Sequence, residues 1–327
     1  MVNTDHLFLN DVTIVPADCH GLRVDVALAK LFPEYSRAQL TQWLKDGHIK
    51  LNERKLRPKD KVIAGELIHA HVDLTSVCGT QEQDTAENIP LHVVFEDEHL
   101  LILNKPAGLV VHPGAGNPNH TLVNALLHYC PVLANLPRAG IIHRLDKDTT
   151  GLLLVGKTLL SYNQLVRMMQ SREINRSYLA LVYGHVIAGG RIETGYGRHP
   201  RNRLKKAVTE EGRVAITDYR IKKSYHDFSL LEVTLLTGRT HQIRVHMAYI
   251  KHPVLGDQLY GHPRLRIPAG ANESLQMALK NLKRQALHAC KLSLTHPVTL
   301  NELTVEAPLP DDVQSLITLL DAHLGLY

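Results

Sequence analysis

The chain has 327 residues, of which 44% are hydrophobic and 21% charged, and 37 Lys and Arg against 32 Asp and Glu give a formal net charge of +5. That length accommodates two domains that each bury a core, and the composition carries no signature of disorder, while the mild positive charge suits a polyanionic partner without requiring one. Four cysteines, Cys19, Cys78, Cys130 and Cys290, hold no metal-ligand spacing, which excludes a zinc ribbon or disulfide framework and points to a reducing compartment.

The N-terminal Met-Val-Asn-Thr-Asp-His lacks a basic region followed by an apolar core, and no uninterrupted apolar run reaches the ~18 to 20 residues of a membrane span, so a cytoplasmic protein without membrane contact is expected. Residues 21–73 read as a small module. Val24, Ala27, Leu28 and Leu31 lie at helical spacing within 23–32, and Pro33 ends that helix. Ser36-Arg-Ala-Gln39 then reads as a capping box opening a second helix, with Leu40, Trp43 and Leu44 inward and Gly47 at its end. Short strands are expected around 48–51 and 62–72. Arg37, Lys45, Lys50, Arg54, Lys55, Arg57, Lys59 and Lys61 form a dense basic set on and after the second helix. Such a set can neutralise phosphates along a folded RNA, although a solvated helix face has the same composition. The acidic, Gln- and Thr-rich stretch 76–88 reads as a linker, which gives domains over 1–88 and 89–327.

Beyond the linker, strand-like runs at 91–95, 100–103, 152–155, 178–183 and 228–236 mix with helical stretches at 121–129, 161–170 and 242–249. Their order does not alternate strictly, which argues for an α+β domain on a largely antiparallel sheet and against a doubly wound parallel one. Among 21 histidines, His241 and His246 lie close together. Their spacing of five is not the i, i+4 arrangement that puts two imidazoles on one helix face, and no acidic third ligand stands beside them, so no metal site is expected.

Two segments invite a chemical reading. Gly151-Leu-Leu-Leu-Val-Gly-Lys-Thr158 satisfies the written pattern of a phosphate-binding loop, yet Leu-Leu-Leu-Val would be buried as a strand with its amides committed to sheet partners, so nucleotide binding is not expected. In Ile141-His-Arg-Leu-Asp-Lys-Asp-Thr-Thr-Gly151, by contrast, a carboxylate, Asp146, is delivered between cations inside a run that otherwise reads as core. A third segment, residues 198–206, packs Arg198, Arg201, Arg203, Lys205 and Lys206 without an acid, as a loop over a phosphate backbone or a plain surface loop would.

The run ending in His143-Arg-Leu-Asp146 resembles the active-site motif of the pseudouridine synthases that isomerise uridines in large-subunit ribosomal RNA. The resemblance continues in family order through Asn104-Lys-Pro-Ala-Gly-Leu-Val-Val-His-Pro113, Tyr178 with Ala180, Gly238-Arg-Thr-His-Gln-Ile-Arg-Val-His246, His252-Pro-Val-Leu-Gly-Asp257 and Arg284-Gln-Ala-Leu-His288, spanning roughly residues 90 to 310. It implies a catalytic domain with a long mixed sheet and a cleft along its middle. The module at 21–73 resembles the S4 RNA-binding domain that commonly precedes it.

The resemblance also implies roles. Asp146 is the catalytic carboxylate, acting as nucleophile or as base, and Arg244 is its partner, a guanidinium suited to bidentate pairing. Tyr178, which on sequence alone reads equally as a core tyrosine, packs on the target base and assists proton removal at C5. Arg144, otherwise a surface or phosphate-contact arginine, fills the space left by the flipped nucleotide. Arg37, Lys45, Arg201 and Arg203 are the expected RNA contacts. No cofactor is implied, since the reaction involves neither oxidation nor phosphate activation. The implied partner is 23S ribosomal RNA, at clustered uridines of helix 69, or a precursor 50S particle, met by a monomer. Sister synthases with the same modules act on other 23S uridines, and a catalytically silent ribosome-assembly protein with this fold is the remaining alternative.

Overall fold

The computed structural model describes residues 8–32, 37–52, 54, 56–73, 85–114, 116–202, 205–262 and 264–324. Pro33, the capping box at Ser36, Lys55, Arg203 and residues 76–84 of the expected linker lie outside the described residues. The chain divides into two compact units, Met1–Gln83 and Asp84–Tyr327.

The first unit contains β1 (Phe8–Ile14), α1 (Val24–Leu31), α2 (Arg37–Asp46), β2 (Ile49–Leu51) and β3 (Leu67–Asp73), with the strands antiparallel in the order β1-β3-β2. The apolar stripes of the two helices meet the inner face of this sheet. Val24, Ala27 and Leu28 of α1 and Leu40, Trp43 and Leu44 of α2 are buried with Ile49, Leu51, Ile68 and Ala70 in one core. β1 was not anticipated, because Asn10 and Asp11 interrupt its apolar residues and its Val12 and Ile14 are exposed. The strand expected from residue 62 begins only at Leu67, after a turn in which Gly65 has φ of 90°.

In the second unit, β4 (Val93–Glu96), β5 (Leu100–Lys105), β6 (Thr150–Gly156), β7 (Asn175–Tyr183), β8 (Gly190–Arg198), β9 (Lys206–Val208), β10 (Arg213–Ser224), β11 (Phe228–Leu235), β12 (Leu287–Thr295) and β13 (Glu302–Glu306) form one ten-stranded sheet. The order is β4-β5-β6-β12-β7-β11-β10-β8-β9, with β13 paired to β12. Every named pairing is antiparallel except β6 with β12, a seam of two register pairs, His288 with Thr150 and Ala289 with Gly151. Among the described residues the helices are α3 (Leu122–Tyr129), α4 (Leu159–Ser171), α5 (Gln242–Tyr249), α6 (Glu273–Asn281) and α7 (Asp311–Leu324).

Strand side chains alternate between faces, and here both faces are covered. Leu153 and Val155 of β6 join Tyr178, Ala180, Leu231, Val233 and the α5 residues Ile243 and Met247 in one core. Leu152 and Leu154 face the other way, toward Leu165 of α4. On that second side, farther along the sheet, Leu181 and Phe228 meet Leu275 of α6 and Leu316 of α7. Double burial explains why β6 reads as a continuous apolar run, and its amides are spent on β5 and β12 instead of a phosphate. Lys157, the cation of the loop-like pattern, bonds Glu96 at 2.7 Å.

Candidate active site

Asp146 sits on the loop between the turn at Pro137–Gly140 and β6. Buried Ile141 and Leu145 anchor this loop in the core, so the next side chain stays at the surface of the fold. A buried lysine holds its far side: Lys105 Nζ donates to the carbonyls of Pro106, Leu109 and Lys147 at 2.7, 2.9 and 2.9 Å. Burial pushes the Lys105 pKa down to about 8, against the pull of Asp148 and Asp146, so the three charge-assisted bonds persist at neutral pH. Gln285 donates to Thr149 Oγ1 at 3.0 Å, and Thr150 Oγ1 meets His288 Nδ1 at 2.9 Å, which ties the loop's exit to the segment leading into β12. Upstream, Arg138, Ala139 and Gly140 take left-handed φ values of 56°, 51° and 75° in succession, a run that places backbone strain at the cleft.

The partner comes from α5. Gln242 fixes the start of that helix: its Oε1 accepts from Thr237 Oγ1 and Arg239 N, and its Nε2 donates to Ile216 O and Thr217 Oγ1. Two residues on, Arg244 Nη1 donates to Asp146 Oδ2 at 2.9 Å. The expected bidentate pairing of these two is not what forms. The guanidinium fork engages Asp257 instead, through Nε at 2.7 Å and Nη2 at 2.9 Å, leaving one donor for Asp146. Burial alone would raise the Asp257 pKa, but Arg244 and the amides of Tyr260 and Leu259 hold it below the usual carboxylate range. Burial likewise opposes the charge on Arg244, and the two carboxylates outweigh it and push its pKa up. The side chain of Asp257 is fully covered, whereas that of Asp146 keeps 14% of its surface exposed, so one carboxylate positions the arginine and the other meets what enters the cleft.

Tyr260 and His241 complete the surroundings. The Tyr260 ring lies 5.2 Å below the Arg244 guanidinium. Its hydroxyl accepts from Lys206 N at 2.7 Å and meets His241 Nδ1 at 2.9 Å. His241 Nε2 faces Asp146 Oδ1 at 3.9 Å, beyond hydrogen-bond reach. Burial keeps this imidazole neutral at neutral pH, against the pull of Asp146.

Asp146, Tyr178 and Arg144 line one cleft of 610 Å³ together with Arg138, Arg176, Arg239, His112 and His143. Four arginines against one acid make its wall cationic. Burial pushes the Tyr178 phenol's pKa up, partly offset by Arg176, so it is a neutral packing surface at neutral pH. Arg144 is exposed at the rim. Sequence reasoning gave no role to Arg176 or Tyr260, nor to Arg138, Arg239, Asp257 and Lys105, which entered at most as part of a resemblance. In the first unit, Arg37 Nη2 donates to Asp25 at 2.7 Å, and Arg54 pairs with Glu66 at 2.9 Å, while Lys45 is exposed. Part of the basic set thus neutralises acids of its own unit. Arg201 is exposed on the hairpin between β8 and β9. Among the described residues no group of three His, Cys, Asp or Glu could hold a metal, and no helix is long and apolar enough to cross a membrane.

The cleft thus sets a carboxylate, bound by a buried arginine, beside a tyrosine within a cationic wall. The chain belongs to the RNA pseudouridylate synthases, whose family profile matches residues 99–249, and the S4 domain profile matches residues 22–68. It is 48% identical over 307 residues to the ribosomal large subunit pseudouridine synthase D of Xanthomonas campestris pv. campestris, covering 94% of this chain and 91% of that one. The synthase of the same name from Escherichia coli K12 is 47% identical over 303 residues, 92% of this chain and 91% of that one. Human RNA pseudouridylate synthase domain containing 4 shares the fold, with a TM-score of 0.57 at 24% identity over 70% of this chain and 93% of that one.

Proposed function

We propose that this isomerase converts clustered uridines of 23S ribosomal RNA, in helix 69, to pseudouridine, with Asp146 as the catalytic carboxylate. The substrate rests on the likeness to large-subunit synthases over nearly the whole chain. The chemistry rests on a single observation, the carboxylate of Asp146 accepting a hydrogen bond from Arg244 in a cationic cleft beside Tyr178. Making pseudouridine breaks the bond from C1' to N1 of uracil, turns the base and rejoins it through C5. A charged, positioned carboxylate serves this as a nucleophile at C1' or as a base on the ribose, and both routes need the fixed cation that Arg244 supplies. Tyr178 packs against the base, and its raised pKa favours that role over service as a phenolate base. Arg144 at the rim occupies the place of the flipped nucleotide, and the first unit, with exposed Lys45, holds the flanking RNA. The protein acts as a monomer on free ribosomal RNA or on a precursor 50S particle.

Tritium release from C5-labelled uridine in 23S RNA tests this reading. Wild-type protein is expected to release label and Asp146→Asn to release none while still binding RNA. Label release by Asp146→Asn would remove the acid from the mechanism, and silence of both proteins on RNA and on precursor particles would leave an RNA-binding assembly factor.

A further inference from the structure

Two arginines of the second unit are buried to the same degree, 7% exposed each, and they differ in company. Arg244 faces two carboxylates. Arg176 faces none: among the described residues its guanidinium has no ion pair or hydrogen bond, and its Nε is buried without a partner. An uncompensated buried cation is costly, and a fold keeps one where a ligand brings the missing charge. Arg176 stands two residues before Tyr178 on β7, so both side chains leave the same face of the strand and both line the cleft. Its Nη1 lies 3.1 Å from where a Cβ of residue 238 would stand, a space left open by Gly238.

We propose that Arg176 is a further catalytic residue of the isomerisation, its guanidinium stabilising the uracil anion released when the C1'–N1 bond breaks. The inference rests on the isomerase reading above. As that bond breaks, its electron pair departs with N1, and the uracil becomes a monoanion whose charge spreads over N1, O2 and O4. The electron deficit at C1' is met by a bond to the Asp146 carboxylate or by loss of the ribose C2' proton. Arg176 transfers no proton; it donates hydrogen bonds to a uracil oxygen as charge gathers there, and releases it when C5 attacks C1' and the charge is spent in the new bond. A counter-charge that exists only after cleavage explains why no carboxylate of the protein is paired with Arg176, since a permanent one would cancel its pull. The phosphates are the rival anions, and exposed Arg138 and Arg239 meet them at the rim.

The test compares Arg176→Gln and Arg176→Lys with wild type on a helix 69 stem-loop carrying uridine or 5-fluorouridine, under single turnover. Arg176→Gln is expected to slow conversion of uridine by about 10²-fold, the usual loss for one preorganised donor, with RNA affinity and its salt dependence unchanged. Fluorine stabilises the uracil anion by itself, so the deficit should shrink on 5-fluorouridine. Arg176→Lys should recover part of the rate. Removing an unpaired buried charge should also raise the melting temperature of Arg176→Gln. Weaker binding with a shallower salt dependence would overturn the proposal in favour of a phosphate contact. Equal deficits on both substrates with a lowered melting temperature would overturn it in favour of a structural role. A wild-type protein silent on uridine, matching Asp146→Asn, would bring down the isomerase reading and this one with it.

Discussion

At the scale of residues, the site is a chain of charges in which Asp257 orients Arg244 and Arg244 orients Asp146. Asp257→Asn keeps the shape but removes the charge that pins the fork, so Arg244 is expected to lose its fixed direction toward Asp146. A misplacement of about 1 Å is enough for a rate loss of about 10²-fold, and it should fall on kcat with KM little changed, since Asp257 is sealed from the cleft. Steady-state kinetics on a stem-loop substrate checks this, and an unaltered kcat would show that Arg244 holds its place unaided. Asp146 and Arg244 were legible in the sequence because each lies in a motif whose residues resemble a known site. The division of labour between Asp146 and Asp257 was not, because a guanidinium's choice between two carboxylates depends on the direction from which each arrives. Arg37 makes the same point in reverse, for its spacing reads as an RNA contact while α1 brings Asp25 to within 2.7 Å of it.

Among elements, the seam between β6 and β12 decides most. Gly151 lies there with φ of 111°, and a Cβ on it would stand 2.2 Å from Ala289 O. Gly151→Ala therefore combines a disallowed backbone with a collision against sheet backbone, and about 3 kcal/mol or more of stability should be lost. Chemical denaturation measures it, and a loss below 1 kcal/mol would mean that the seam shifts freely. Some elements were readable: α5 spans the expected 242–249, and β6 contains the expected apolar run. β8 was not, because Gly190, Gly195 and Gly197 and its charged residues make a half-exposed strand look like a loop. The expectations also stop short of α7, although Val313, Leu316, Ile317 and Leu320 hold the i, i+3, i+4, i+7 spacing of a packed helix.

For the molecule as a whole, the buried His246 and the half-buried His112 and His143 of the cleft wall shape the response to acid. Burial pushes the pKa of His112 down to about 4, of His143 to about 3 and of His246 to about 4. Each is a base whose folded pKa lies below its unfolded value near 6.5, so its contribution is intact above pH 6.5. As pH falls toward 4 the unfolded chain takes protons that the folded chain refuses, and stability drops by about 1.4 kcal/mol per pH unit for each histidine. Urea midpoints should therefore fall steeply between pH 6.5 and 4.5, and a flat profile would mean that these imidazoles reach water. The order of assembly has a consequence of its own. Asp146 and Arg244 are 98 positions apart, and Thr150 and His288 at the seam are 138 apart, so neither contact forms until very long loops have closed. Closures of that span are slow. A newly made chain therefore has no catalytic pair until the two segments that carry it, 98 positions apart, have been brought together.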